Sequence, residues 1–158
     1  MNRIYLAIGT NLGNKPVNRL NALAGILENI GRFSAISSVY KTKPQGYESR
    51  NNFQNMVVGV DTPLSPEEIL RITQSIEKEM GRTQKTTDSY QDRIIDIDLL
   101  AYNDWILQTE NLQLPHPLFH LRRFVLEPFN EIAPDYVHPV FRKTVRELLM
   151  EFESLYIR

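Results

Sequence analysis

Arg93-Ile94-Ile95-Asp96-Ile97-Asp98-Leu99-Leu100 is the stretch on which the reading of this chain turns. Ile and Leu surround two acids, which is the pattern of a β-strand, whose side chains alternate between faces with period two. Asp96 and Asp98 then share one face, with Cα atoms roughly 6–7 Å apart at about 3.3 Å per residue. Ile95, Ile97 and Leu99 take the other face as core. Two neighbouring carboxylates repel, and drying them is costly. A hard divalent cation with oxygen ligands resolves that conflict. The alternative is an exposed sheet face carrying two solvated acids.

Upstream, Ile4-Tyr5-Leu6-Ala7-Ile8 reads as a buried strand and Gly9 to Asn14 as a turn. A helix is expected from about Pro16 to Gly31, with Val17, Leu20, Leu23, Ala24, Leu27 and Ile30 as its apolar stripe. Phe33 to Tyr40 is β-rich, with Ile36, Ser38 and Tyr40 on one face, and Phe53 to Val60 is the third strand. The second helix has an N-cap candidate in Ser65, Pro66 at its first position and Glu68 to complete a capping box. Ile69, Ile72, Thr73, Ile76 and Met80 form its inner stripe, and Gly81 ends it. After the acidic strand, Asn103-Asp104 suggests a tight turn into Trp105-Ile106-Leu107 as a short hairpin partner. Helices are expected near 120–130 and 143–155. The order β-α-β-β-α-β is the ferredoxin-like signature, an antiparallel sheet with two helices on one face. C-terminal helices on the other face would give an α+β, three-layer α-β-α domain over residues 1–158.

The chain has 158 residues, 42% of them hydrophobic, enough for one domain with a real core. Eighteen basic and nineteen acidic residues nearly cancel, so no global basic field favours nucleic acid or an acidic membrane. Cysteine is absent, which excludes a disulfide frame and a thiolate metal site. The apolar segment after Met1-Asn2-Arg3 is too short for a signal sequence or a membrane span. A free-standing, monomeric, cytoplasmic domain is the expectation.

Two loops, 43–51 and 82–92, are long for connectors, and loops of this kind often act as lids or binding loops. The second carries Arg82 and Lys85 and leads through Arg93 into the acidic strand. Cations beside a metal-ready carboxylate pair point to a polyphosphate, which needs both Mg2+ and fork-like donors. There is no Walker sequence, so ATP would bind without a P-loop. Gly9-Thr10-Asn11-Leu12-Gly13 precedes a helix and is either an anion cradle or an ordinary strand-to-helix turn. His116, between Pro115 and Pro117, suits phosphate or a nucleotide, with a structural role as the alternative. Phe53 and Phe124 are core candidates or the two sides of a stacked heterocycle. Asn55 shares a strand face with Phe53 and offers paired hydrogen bonds to such a ring.

In this order the motifs resemble the 6-hydroxymethyl-7,8-dihydropterin pyrophosphokinase family of folate biosynthesis. They are Ile8-Gly9-Thr10-Asn11-Leu12-Gly13, Ser38-Val39-Tyr40-Lys41-Thr42-Lys43-Pro44-Gln45-Gly46, Phe53-Gln54-Asn55, Ile76-Glu77 with Gly81-Arg82, the Arg93 to Asp98 run, and Pro115-His116-Pro117 with Arg122 and Phe124-Val125-Leu126. The resemblance implies transfer of diphosphate from ATP to the pterin hydroxymethyl group, with AMP as the second product. By similarity Asp96 and Asp98 hold two Mg2+ ions, and Arg82, Arg93, His116 and Arg122 grip ATP phosphates. Gln74 and Glu77 line the nucleotide side, and backbone near Leu99 and Gln113 reads adenine. The pterin lies between Phe53 and Phe124, with Asn55 hydrogen-bonding it and Thr42, Pro44, Gln45 and Gly46 along its edge. No nucleic acid and no membrane is implied. The chain departs from the family at Tyr90-Gln91-Asp92, where Trp-Gly-Pro is common, at Gln84 and Lys85, where a second Arg is common, and at Leu118, where Arg is common.

Two other readings fit parts of the pattern. A nucleotidyl cyclase or polymerase-like palm also places acids on such a sheet, but it has no use for the pocket residues and the Pro-His-Pro run. A non-catalytic ligand- or RNA-binding module has no use for paired strand aspartates beside an arginine loop.

Overall fold

The computed structural model describes residues 1–43, 52–81 and 93–156. Strand β1 spans Asn2–Thr10, followed by α1 (Lys15–Asn29), β2 (Arg32–Ile36), β3 (Tyr40–Thr42), β4 (Phe53–Thr62) and α2 (Pro66–Glu79). Then come β5 (Asp96–Tyr102), β6 (Leu107–Gln108), β7 (Gln113–Leu114), a 3-10 turn at Phe119–Leu121, α3 (Arg123–Ile132) and α4 (Val145–Tyr156). The main sheet runs β2-β4-β1-β5, with β3 also paired to β4, and every pairing is antiparallel. No helix among the described residues is long and apolar enough to cross a membrane.

Period-two alternation divides each strand between two cores. Ile4, Leu6 and Ile8, with Met56, Val58 and Val60 and with Ile95, Ile97 and Leu99, pack against Ala22, Ile26 and Ile30 of α1 and its end and Ile69 and Ile76 of α2. Tyr5, Val57, Leu100 and Ala101 face the other way, onto Val125, Leu126 and Phe129 of α3 and Val145 and Leu148 of α4. A bulge lies opposite Tyr5 and Leu6, where register jumps from Ala101 to Leu99. It turns Leu100 and Ala101 both toward the α3 side.

The capping box of α2 forms as expected: Ser65 Oγ accepts from Glu68 N, and Glu68 Oε1 accepts from Ser65 N. Gly81 follows the helix at φ +100°. Three expectations are corrected. The α1 stripe is rotated: of the expected positions Leu23 and Ile30 face the sheet, beside Ala22 and Ile26, whereas Val17, Leu20, Ala24 and Leu27 are exposed. The reason is the close approach of α1 to α2 at Gly25, where a Cβ would stand 3.1 Å from Ile76. The β-rich run from Phe33 to Tyr40 is two strands, because Ser37 leaves the ladder. Its N–H donates to Val57 O, and its Oγ accepts from Val57 N. Finally, Trp105-Ile106-Leu107 is not a hairpin partner of β5; Leu107-Gln108 pairs with Gln113-Leu114 in a separate ribbon. The turn at Asn103 is present, with φ +49°.

Candidate active site

On the α3 side of the sheet, strand register lines up two short rows. Asn55, Gly9 and Asp96 are direct neighbours across β4, β1 and β5, and Val57, Ala7 and Asp98 form the next row. Adjacent strands lie about 4.8 Å apart, so Asn55 and Asp96 stand roughly 10 Å apart at the Cα level. The small residues Gly9 and Ala7 make the floor between them. Further along the same face, Tyr5 and Leu100 are covered by α3 and its neighbours. Where that cover stops, a cleft opens to solvent, and its walls include Thr42, Lys43, Phe53, Asn55, Arg93, Asp96, Asp98, Arg122 and Phe124.

One end of the cleft is ionic. Asp96 and Asp98 point into it from β5, and Arg93 Nη1 lies 3.5 Å from Asp96 Oδ1. Arg122 enters from the start of α3, its guanidinium carbon 5.8 Å from the Phe124 ring centre. Arg93 is latched by the turn after β1: Asn11 N and Leu12 N both donate to its carbonyl at 2.9 and 3.1 Å. Asn11 Oδ1 accepts from Arg93 N at 2.6 Å, and Thr10 Oγ1 donates to Ile94 O. The Gly9–Gly13 turn is therefore an internal fastener, with its Asn11 and Leu12 amides committed to Arg93. Among the described residues no group of three or more His, Cys, Asp or Glu is placed to hold a metal. Two carboxylates alone suit Mg2+, which takes its other ligands from substrate phosphates and water.

The other end is aromatic and amide-lined. Phe53 and Phe124 both border it, and Asn55, 7% exposed, donates from Nδ2 to Thr42 Oγ1 at 2.9 Å. That bond fixes which way the carboxamide faces. A Cβ on Gly9 would meet Asn55 Oδ1 at 2.9 Å, so glycine is what lets the amide sit over β1.

The remaining expected residues do not gather in the cleft. His116 N donates to Leu100 O at 2.8 Å, which ties the Pro-His-Pro run to the outer edge of β5. Its Nδ1 accepts from Leu118 N at 3.2 Å, which leaves the proton of the neutral ring on Nε2. Glu77 is buried and accepts from Ile97 N at 2.9 Å, so it holds the peptide between the two aspartates from behind. Gln74 borders a different groove, with Arg71, Thr109 and Leu112. Gln113 lies on the ribbon of β6 and β7, and the Leu99 side chain is buried in the α1–α2 core. Arg82, Pro44, Gln45 and Gly46 lie outside the described residues. Sequence reasoning missed Gly9 and Ala7 as the floor, because only strand register places them beside Asn55 and Asp96.

Residues 5–134 match the family of 7,8-dihydro-6-hydroxymethylpterin-pyrophosphokinase. The chain is 42% identical over 138 residues to 2-amino-4-hydroxy-6-hydroxymethyldihydropteridine pyrophosphokinase of Porphyromonas gingivalis, covering 86% of this chain and 93% of the relative. It is 38% identical over 153 residues to the folic acid synthesis protein FOL1 of Dictyostelium discoideum, but spans only 23% of that longer protein. Its fold is similar to a crystal structure of Plasmodium falciparum HPPK-DHPS, with TM-score 0.77 and 19% identity, over 99% of this chain and 46% of that one.

Proposed function

Because this chain belongs to the 7,8-dihydro-6-hydroxymethylpterin-pyrophosphokinase family, we propose that it transfers the diphosphate of ATP to 6-hydroxymethyl-7,8-dihydropterin. The products are AMP and the pterin diphosphate, a step of folate biosynthesis. The observation that carries this reading is the single cleft with two chemistries, an acid–arginine end beside a slot edged by Phe53, Phe124 and Asn55.

In the proposed reaction the pterin hydroxyl oxygen bonds to the β-phosphorus of ATP and gives up its proton to water. The bond from that phosphorus to the oxygen bridging it to the α-phosphate breaks, and AMP departs. Phosphoryl-type transfer needs positioning and charge neutralisation more than covalent help from the protein. Asp96 and Asp98 would hold Mg2+, two ions by family resemblance, which neutralises the phosphates when bound. Arg93 and Arg122 supply donors at the same end, and Asp96 or Asp98 orients the attacking hydroxyl. Phe53 and Phe124 sandwich the ring, and Asn55 hydrogen-bonds its edge beside Thr42. His116, Gln74, Glu77, Leu99 and Gln113 belong to the nucleotide side by family resemblance. Arg82 is assigned to the phosphates, and Pro44, Gln45 and Gly46 to the pterin edge, on the same ground.

The strand order β2-β4-β1-β5, with α1 and α2 on one face and α3 and α4 on the other, supports reading the domain as a ferredoxin-like core in three layers. We take the protein to act as a cytoplasmic monomer. The test is direct: the protein, Mg2+, ATP and 6-hydroxymethyl-7,8-dihydropterin should yield AMP. ADP, pyrophosphate or no product would sink the assignment. Arg82→Ala should lower turnover more than ATP binding; unchanged turnover would remove it from the machinery.

A further inference from the structure

The two long walls of the cleft come from distant parts of the chain, and one carboxylate outside the cleft joins them. We propose that Glu131 is a positioning residue for the pterin, setting the gap between the Phe124 wall on α3 and the Thr42–Phe53 wall on β3 and β4. The proposal rests on the reaction assigned above.

Glu131 sits on the last turn of α3 and takes three hydrogen bonds from the other wall. Ser38 N donates at 2.9 Å, Ser38 Oγ at 3.1 Å and the Tyr40 hydroxyl at 2.7 Å. Phe124 precedes Glu131 by seven residues. At about 100° per residue the two side chains leave the helix within roughly 20° of each other, about 10 Å apart along its axis. One rigid helix thus carries both the clamp and the aromatic wall. Opposite, Tyr40 and Thr42 are two residues apart on β3 and share a face. That strand has three residues, and its sheet pairing among the described residues is with β4. Glu131 is therefore its tie to α3. Displacing β3 would move Thr42, which fixes the Asn55 amide.

The clamp is also stable in charge. Burial raises the Glu131 carboxyl, but the bonds from Tyr40 and Ser38 outweigh it and hold the group below its usual range. Burial and the neighbouring Glu131 push the Tyr40 phenol up to about 12. Acceptor and donors therefore keep their roles through neutral and mildly alkaline pH.

A tie that only stabilised the fold would change the melting temperature and leave the balance between the two substrates alone. A positioning clamp at the pterin end weakens pterin binding selectively. The intact protein should be titrated with 6-hydroxymethyl-7,8-dihydropterin and separately with Mg2+-ATP, as wild type, Glu131→Ala, Glu131→Gln and Tyr40→Phe. Glu131→Ala should weaken pterin binding about five- to tenfold and Tyr40→Phe about two- to threefold, in line with lost charge-assisted hydrogen bonds. Mg2+-ATP affinity should stay within about twofold, and Glu131→Gln, which keeps one acceptor oxygen, should recover part of the loss. Unchanged pterin affinity in Glu131→Ala and Tyr40→Phe, or equal loss for both ligands together with a lower melting temperature, would overturn the proposal. AMP formation by the wild type is the control: its absence would fail the reaction reading itself.

Discussion

On β1, Ile4, Leu6 and Ile8 face α1 and α2, whereas Tyr5, Ala7 and Gly9 face α3 and α4. The same split on β5 puts Ile95, Ile97 and Leu99 on the first side and Asp96 and Asp98 on the second. The first face is apolar from Ile4 to Ile8 and from Met56 to Val60 and is closed by two helices. The second is apolar only halfway, and where its cover ends the strands carry Gly, Asn and Asp. Alternate residues of one strand thus meet different demands, so stability and activity should separate by residue parity.

The largest expected effect is on the open face. Asp96→Ala or Asp98→Ala should lower turnover on the order of a hundred- to a thousandfold, as for other lost electrostatic groups, with little change in thermal melting. Near-normal rates would remove the metal-site assignment. The neighbouring Ile97, 2% exposed, gives the reverse. Ile97→Ala should cost about 2–5 kcal/mol in denaturant unfolding, with turnover per folded molecule largely retained. An equal loss of turnover would show that the two faces are coupled. Gly9→Ala tests the floor, because the added methyl would press on Asn55 Oδ1. Overpacking of this kind costs about 1–3 kcal/mol, so pterin binding should weaken about tenfold while ATP binding holds.

The smallest effect belongs to the layer over the open face. His138 is buried, and its Nδ1 accepts from Val140 N and Phe141 N. Burial, with His120 nearby, pulls its pKa down to about 4. The unfolded chain takes up this proton near pH 6.5 and the folded one only near 4. Its contribution to stability is therefore complete above about pH 6.5 and is lost as pH falls toward 4. Melting temperature should decline across that window, and His138→Asn should flatten the decline; an unchanged slope would assign it to other groups.

Much of this was legible in the sequence where short-range rules decide. The parity of Asp96 and Asp98 and the capping box of Ser65 and Glu68 need only neighbours a few residues away. The α1 stripe was misread because Val17, Leu20 and Leu27 also recur at helical spacing. What decides between the two stripes is the contact of Gly25 with Ile76, fifty-one residues on. The clamp of Glu131 on Ser38 and Tyr40 spans more than ninety residues, and no local pattern announces it.

The latch between the Gly9–Gly13 turn and Arg93 has a consequence for how the two carboxylates are held. Gly81 closes α2 on one side, and Asn11 and Leu12 pin Arg93 on the other. Arg93 leads into the strand that carries Asp96 and Asp98. The entry of the aspartate strand is thus anchored to the end of β1, and Glu77 of α2 holds it again at Ile97 N. Both carboxylates therefore keep their place through β1 and α2.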